Sequence, residues 1–226
     1  MMREFIVYQG PEFAIEWYYD VNGKSQPLDY FNALIDSQKR KFLHLVKLMG
    51  DFGQIRNKEK FNYEGDQLYA FKPRPDRFLC FFFKDEKIII TNAFEKKSRN
   101  YPARRKIELS SINKVLKKGW PKENIMNKKT PSTYDRFLAN SKQKKLFEKE
   151  YHELLLSELI IALMEEDHLS VRKLASAAGL SPTIIQELRS GKKKNITLQT
   201  FLKLIKACGR VLFVENLVSH ERVIVK

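Results

Sequence analysis

Residues 170–191 read Ser-Val-Arg-Lys-Leu-Ala-Ser-Ala-Ala-Gly-Leu-Ser-Pro-Thr-Ile-Ile-Gln-Glu-Leu-Arg-Ser-Gly, and this stretch decides the fold of the second half of the chain. Ser170 is typical of a helix N-cap, and Gly179 supplies the positive φ of a tight turn. Ser181 caps a second helix with Pro182 at its first position, where the missing N–H costs nothing. We therefore predict two short helices joined by a glycine turn, with helical segments before and after them.

The apolar residues of this stretch recur at helical spacing. Val171, Leu174 and Ala175 lie on one side of the first predicted helix, and Ile185 and Leu188 lie on one side of the second. These positions predict the core, so the intervening polar residues point outward.

Two helices in this arrangement are typical of a helix-turn-helix that reads DNA. The second helix then faces base edges, and the residues after it lie close to phosphates. The candidate DNA-binding residues are Ser181, Thr183, Ile184, Gln186, Glu187, Lys192, Lys193, Lys194 and Asn195. The alternative is an ordinary helical bundle with a solvated lysine loop.

The pattern resembles the helix-turn-helix of Xre-type repressors. Upstream, residues 128–138 and 145–151 look like the N-terminal arm of HigA-like antitoxins. This resemblance implies that the arm contacts a toxin and that the antitoxin represses its own promoter as a dimer. Downstream, residues 211–215 and 222–225 alternate like two short strands, for which a hairpin or dimer-edge role stays open.

The first half of the chain mixes strand and helix signals. Phe13, Ile15, Trp17 and Tyr19 alternate with polar residues such as Glu16, which predicts a strand with one buried face. Two helices, three strands and a short closing helix are then predicted, over residues 28–35, 42–49, 67–74, 77–83, 87–94 and 107–116. This order predicts an α+β domain with an antiparallel sheet and two N-terminal helices.

Three segments of this domain resemble the RelE superfamily, and its phage-type HigB branch most. They are Leu68-Tyr69-Ala70-Phe71-Lys72, Arg77-Phe78-Leu79-Cys80-Phe81-Phe82-Phe83, and Asn92-Ala93-Phe94-Glu95-Lys96-Lys97-Ser98, followed by Tyr101-Pro102. The likeness covers residues 5–115. Lys72, Asn92 and Ser98 stand where the branch usually has Arg, His and Thr. The resemblance implies a RelE-like fold and an mRNA endonuclease acting on the ribosome.

The basic residues of these segments suit a phosphodiester. Lys72 and Arg74 are two apart, so on one strand they project from the same face, and Arg77 opens the next strand. Cleavage through the 2′-OH needs charge stabilisation on the phosphorane, which Lys and Arg supply, and a base, for which a crowded lysine is suited. Tyr101 suits base stacking or proton transfer.

The candidate catalytic residues are Lys72, Arg74, Arg77, Lys96, Lys97 and Tyr101, and the candidate RNA-binding residues are Arg99, Arg104 and Arg105. The alternative interpretation is a solvated basic sheet edge, since lysine also protects sheet edges from aggregation.

Composition is consistent with nucleic-acid partners. The 226 residues carry a formal net charge of +15, which favours a polyanionic partner. Cys80 and Cys208 lie in different halves and in apolar surroundings, which indicates buried thiols in a reducing cytoplasm. The four histidines have no ligand spacing. We expect no metal, no cofactor, no signal peptide and no membrane span.

The predicted domains are a toxin domain at residues 1–118, a linker and antitoxin arm at 119–141, and a helix-turn-helix domain at 142–226. The resemblances together imply a toxin–antitoxin fusion whose metal-independent endonuclease is inhibited in the intact chain. Its partners would be mRNA, the ribosome, operator DNA and a second copy bound through the antitoxin half. Two alternatives stay open: a DNA-binding regulator whose N-terminal domain has lost catalysis, and a non-enzymatic RNA-binding protein.

Overall fold

The computed structural model describes residues 4–84, 86–96, 130–216 and 218–225. The chain divides into two compact units, Met1–Glu148 and Lys149–Lys226. The elements of the N-terminal unit are β1 (Ile6–Gln9), β2 (Ala14–Trp17), α1 (Gln26–Ala33), α2 (Asp36–Phe52), β3 (Phe61–Gly65), β4 (Leu68–Phe71), β5 (Asp76–Phe83), β6 (Lys87–Glu95) and α3 (Thr133–Leu138). Helix α4 (Ser141–Glu166) contains the boundary between the units. The predicted helix at 107–116 lies outside the described residues.

The N-terminal unit is built on a six-stranded sheet with the order β1-β2-β6-β5-β4-β3. Its neighbouring strands are antiparallel, as predicted, except that β2 and β6 run parallel. The prediction of a wholly antiparallel sheet is therefore wrong at this pair. The reason is that two helices and three strands separate β2 from β6, so the chain crosses over before the two strands meet. Strands β1 and β3 were not predicted.

One face of this sheet packs against α1 and α2 through aromatic rings. Trp17 stacks on Phe42 with centroids 5.7 Å apart, and Phe42 stacks on Phe78 at 3.9 Å. All three side chains are fully buried. All of β2 is buried as well, so the expectation of a single buried face is wrong there: Glu16 forms an ion pair with Lys87 at 3.0 Å. The opposite face carries a second buried apolar cluster, Leu68, Ala70, Leu79, Phe81, Ile89 and Phe94.

The described part of the predicted linker, residues 130–141, contains a short helix. Helix α3 begins with a capping box, in which Ser132 accepts a hydrogen bond from the Asp135 N–H and the Asp135 carboxylate accepts one from the Ser132 N–H. Helix α4 then starts at Ser141, and the compact N-terminal unit extends to Glu148. The antitoxin-like arm, taken from here on as residues 130–148, is therefore part of the N-terminal unit.

The C-terminal unit contains the rest of α4, three further helices and a hairpin. These are α5 (Val171–Ala178), α6 (Pro182–Ser190), α7 (Leu198–Ala207), β7 (Leu212–Glu215) and β8 (Arg222–Val225). The predicted helical layout is confirmed, and the two alternating segments form an antiparallel pair. Its core cluster includes Ile160, Leu163, Leu174, Ile185, Leu188 and Leu204. Within the described ranges, no helix is both long and apolar enough to cross a membrane.

Candidate nucleic-acid interfaces

Strand register brings the predicted phosphate-binding residues of the N-terminal unit onto one face. Arg77 of β5 lies opposite Phe94 of β6, and Leu79 lies opposite Asn92, so Arg77 and Asn92 share the face away from α1 and α2. Lys72 directly follows β4, and Lys96 directly follows β6. If side chains continue to alternate between the two faces past the ends of these strands, both lysines lie on the same face as Arg77 and Asn92. We call this set, Lys72, Arg77, Asn92 and Lys96, the cationic face.

The cations of this face are not equally available. The Lys72 ammonium forms an ion pair with Glu64 of β3 at 2.6 Å, and the lysine side chain is only 12% exposed. Arg77 is buried, and its Nη1 donates a hydrogen bond to the Asp76 carbonyl at 2.8 Å. Lys96 is exposed. Lys96 is therefore the most accessible cation of the described set, and Lys72 is partly neutralised.

Arg74 lies apart from the cationic face. Strand β4 ends at Phe71, so the prediction that Lys72 and Arg74 lie on one strand is wrong. Proline at positions 73 and 75 lacks the N–H that a continued ladder requires, which explains the early end of the strand. Arg74 is 68% exposed and pairs with Glu59 at 3.1 Å.

Asn92 carries an unusual polar atom on this face. The residue is only 9% exposed, and its Oδ1 has no hydrogen-bond partner in the part of the chain that the structure describes. An amide donates and accepts hydrogen bonds but transfers no proton near neutral pH. Asn92 therefore suits holding a hydroxyl or a base edge, and not acid–base catalysis. The other predicted RNA-site residues, Lys97, Arg99, Tyr101, Arg104 and Arg105, lie outside the described residues.

The arm binds the N-terminal unit first through Thr133. This residue is fully buried, and its hydroxyl accepts a hydrogen bond from the Trp17 indole N–H at 2.8 Å. The same hydroxyl contacts the Glu4 carboxylate, which also pairs with Arg136 at 3.0 Å. One threonine thus joins the arm to the aromatic core of the sheet.

Aromatic rings continue the contact along α3. Tyr134 packs edge-on against Tyr8 of β1 with centroids 4.8 Å apart, and the Lys47 ammonium lies over both rings, 5.2 Å from Tyr8 and 5.8 Å from Tyr134. Lys47 also pairs with Asp51 at 2.6 Å. Burial, only partly offset by the nearby Lys47 charge, raises the pKa of Tyr134 to about 12.

The start of α4 completes the arm contact against α2. Phe147 is 1% exposed, its ring lies 4.2 Å from the imidazole of His44, and its carbonyl is 3.0 Å from His44 Nε2. Gln143 accepts a hydrogen bond from Arg40 at 2.6 Å and donates one to Asp36 at 2.7 Å. These contacts fall on the side of the sheet that carries the helices, opposite the cationic face. The sequence reasoning did not identify Trp17 or His44 as partners of the arm.

The second candidate interface is the helix pair of the C-terminal unit. The Ser170 hydroxyl accepts a hydrogen bond from the Lys173 N–H at 3.2 Å, and Ser181 accepts one from Ile184 at 3.3 Å. Gly179 has φ of +62° at the turn, and Gly191 has +72° after α6. The predicted caps and glycine turn are therefore confirmed.

The predicted DNA-contacting residues differ in how far they reach solvent. Those exposed are Ser181, Thr183, Gln186, Lys192, Lys194 and Asn195, and those half-buried are Ile184, Glu187 and Lys193. Ile184 packs against the core cluster, and the Ser181 hydroxyl is engaged in its cap. Arg189 is exposed on the same helix and was not among the predicted residues, although a basic residue near a helix C-terminus was the available signal.

Lys194 is engaged by an acidic neighbour. Its ammonium pairs with Glu153 of α4 at 2.8 Å, and the hydrogen bond to Glu153 raises the pKa of Lys194. Lys194 therefore keeps its positive charge, but the carboxylate of Glu153 partly neutralises it. Of the basic residues after α6, Lys192 and Lys193 are better placed for phosphates.

Comparison with known families agrees with this division of the chain. Residues 29–118 match the family model described as "Phage derived protein Gp49-like (DUF891)". Residues 160–213 match the model described as "Helix-turn-helix". No curated protein matches the chain. A Gp49-like domain followed by a DNA-binding helix-turn-helix supports a toxin–antitoxin-like fusion.

Proposed function

We propose that the chain is a self-inhibited toxin–antitoxin pair: an mRNA endonuclease that acts on the ribosome, joined to an antitoxin that represses their common operon. The observation that carries the proposal is the position of the arm. Residues 130–148, which include most of the two segments that resemble an antitoxin arm (128–138 and 145–151), are bound in the N-terminal unit through Thr133, Tyr134 and Phe147. Because the arm lies on the helix-bearing side of the sheet, opposite the cationic face, we propose that it inhibits through the fold of the toxin-like domain and not by covering that face.

The proposed chemistry is metal-independent attack of a 2′-OH on the adjacent phosphate, which forms a 2′,3′-cyclic phosphate, breaks the bond to the 5′-oxygen of the next nucleotide and releases that oxygen as a protonated hydroxyl. Arg77 and Lys96 supply positive charge to the phosphorane on the cationic face, and Lys72 joins them when it leaves Glu64. Lys97 and Tyr101 are proposed for proton transfer. Asn92 holds the substrate through its amide, since it cannot act as an acid or base.

For the C-terminal unit we propose operator binding by α6 in the major groove. Thr183 and Gln186 face base edges, while Lys192 and Lys193 contact phosphates. A palindromic operator read by two copies follows from the two-fold symmetry that helix-turn-helix dimers share with their sites. We propose that this activity is cytoplasmic and needs no metal or other cofactor.

Growth and mRNA cleavage test the endonuclease proposal. The full chain is compared with Phe147→Ala, which loosens the arm, and with Phe147→Ala combined with Lys96→Ala and Lys97→Ala. We expect growth arrest and new mRNA 5′ ends from Phe147→Ala alone. Because Lys96 is exposed, we expect its replacement to leave folding unchanged, which equal soluble levels check. Growth arrest from the unaltered chain as strong as that from residues 1–118 would contradict self-inhibition.

The second candidate function is a DNA-binding regulator with an inactive toxin-like domain. The ion pair of Lys72 with Glu64 and the amide at Asn92 favour it, because both reduce the catalytic capacity of the cationic face. Absence of cleavage and of a growth defect in the arm-loosened variant, with operator binding intact, would establish this alternative. RNA binding without cleavage would instead indicate an RNA-binding protein.

A further inference from the structure

Strand β6 is irregular at the point where it enters the cationic face. Leu79 of β5 lies opposite Asn92. The next residue of β5, Cys80, lies opposite Ile90, so Thr91 is an extra residue in β6. Such a bulge interrupts the ladder and changes the direction in which the following side chains point. The direction of the Asn92 side chain therefore depends on a part of β6 in which the pairing with β5 is broken.

The other edge of β6 loses its strand partner in the same region. Strand β2 ends at Trp17, which lies opposite Ile90, and the Tyr18 N–H then donates a hydrogen bond to the Ile90 carbonyl at 2.9 Å. Strand β2 therefore does not reach Ala93, which lies further along β6. A strand edge without a neighbouring strand needs other partners for its N–H and C=O groups.

The side chain of Gln26 takes the place of the missing strand. Its Nε2 donates a hydrogen bond to the Ala93 carbonyl at 2.8 Å, and its Oε1 accepts one from the Ala93 N–H at 2.9 Å. A carboxamide that bonds both backbone groups of one residue reproduces the pair of bonds that an antiparallel strand makes. Gln26 is the first residue of α1, so this helix holds β6 at the residue that directly follows Asn92.

A second residue of α1 holds the neighbouring strand. The Tyr30 hydroxyl donates a hydrogen bond to the buried carboxylate of Asp76 at 2.6 Å. Asp76 directly precedes Arg77 in β5, as Ala93 directly follows Asn92 in β6. Because side chains alternate along a strand, bonds to these neighbours fix the backbone from the side opposite the cationic face.

We propose that Gln26 is a positioning residue of the cationic face: its two bonds to Ala93 fix the direction in which Asn92 presents its amide to RNA. The proposal rests on the proposed RNA-cleaving function and adds to that site a residue that does not touch the substrate. Asn92 depends on its backbone for orientation, because its Oδ1 has no hydrogen-bond partner in the described part of the chain. Water can bond the backbone groups of Ala93 when Gln26 is replaced, but it does not hold them in one direction.

RNA binding by the full chain with Gln26→Leu tests the proposal. Leucine makes neither hydrogen bond to Ala93, and Gln26 is exposed, so the replacement leaves the buried core intact. The matched control is Gln54→Leu, the same change at an exposed glutamine after α2. Fluorescence anisotropy of a labelled oligouridylate at low salt gives the affinity. We expect Gln26→Leu to bind about fivefold more weakly than the wild type, which corresponds to one net hydrogen bond, and Gln54→Leu to bind equally well.

Nuclear magnetic resonance reads the geometry without RNA. In Gln26→Leu, the amide hydrogen of Ala93 should exchange faster and the side-chain amide signals of Asn92 should shift, whereas Gln54→Leu should change neither. Unchanged Asn92 signals would overturn the proposal. Unchanged RNA affinity together with a lower free energy of unfolding would also overturn it, because a merely structural bond gives that result. If the Asn92 signals shift but the wild type binds no RNA, the proposed RNA function fails and the positioning by Gln26 stands.

Discussion

Thr133 offers the sharpest test of how the arm is held. Thr133→Val preserves the size and branching of the side chain but removes the acceptor of the Trp17 indole N–H. Trp17 is fully buried, so water cannot replace the lost partner. A buried donor without an acceptor costs about 1–3 kcal/mol, and the contact with the Glu4 carboxylate is lost as well. We therefore expect the free energy of unfolding of the N-terminal unit to fall by about 2–4 kcal/mol.

The control is Thr133→Ser, which keeps the hydroxyl and removes one methyl group, at a cost of about 1 kcal/mol. Urea unfolding is followed by Trp17 fluorescence in a Trp120→Phe background, so that one indole reports. In Thr133→Val, the amide hydrogens of α3 should exchange faster than in the wild type, while those of the sheet keep their protection. If Thr133→Val is no less stable than Thr133→Ser, the inferred role of this hydrogen bond is wrong.

Three further predictions concern charges and ionisation. Glu64→Gln should free Lys72 and tighten single-stranded RNA binding about fivefold at low salt, an effect on the order of 1 kcal/mol, measured by fluorescence anisotropy; unchanged affinity would contradict a role for Lys72 in binding. Glu153→Gln should free Lys194 and steepen the salt dependence of DNA binding by about one phosphate contact; an unaltered slope would place Lys194 away from DNA. Burial favours the neutral form of the Tyr134 phenol over the charged form. The neutral phenol therefore contributes its full stabilisation of the fold below the ordinary tyrosine pKa of about 10, and this contribution is lost as pH rises through about 12. Absorbance titration should show late tyrosinate steps from the tyrosines whose pKa burial raises, Tyr134 among them, and Tyr134→Phe should reduce their amplitude by one tyrosine while Tyr8 still titrates late; an unchanged amplitude would refute the assignment.

The helix-turn-helix could be predicted from sequence because its determinants are local. The caps at Ser170 and Ser181 bond to N–H groups three residues away, and Gly179 sets the turn by its own backbone. Each of these signals lies within a short window of sequence. Residue type and spacing alone therefore identify them.

The contacts that hold the arm and engage the lysines were not predictable in the same way. Trp17 and Thr133 are 116 positions apart, and no periodic pattern links them. The partner of Lys72 is Glu64, which lies on a strand that the sequence did not reveal. Several acidic residues have the right charge to pair with Lys72, so charge alone does not identify its partner. The strand register decides which of them lies close enough. The parallel pairing of β2 with β6 is non-local for the same reason.

The arm's place within the N-terminal unit changes how inhibition in a single chain is to be understood. Covalent linkage gives the arm an effective concentration on the order of 1 mM, whatever the concentration of the protein. If the arm alone bound with micromolar affinity, about one chain in a thousand would have it released. A loss of about 2–4 kcal/mol at Thr133 would raise the ratio of released to bound chains by roughly 30- to 700-fold, since 1.4 kcal/mol is a factor of ten. Because dilution cannot separate the two parts, the proposed toxin becomes active only when the arm contact itself is weakened or the chain is cut.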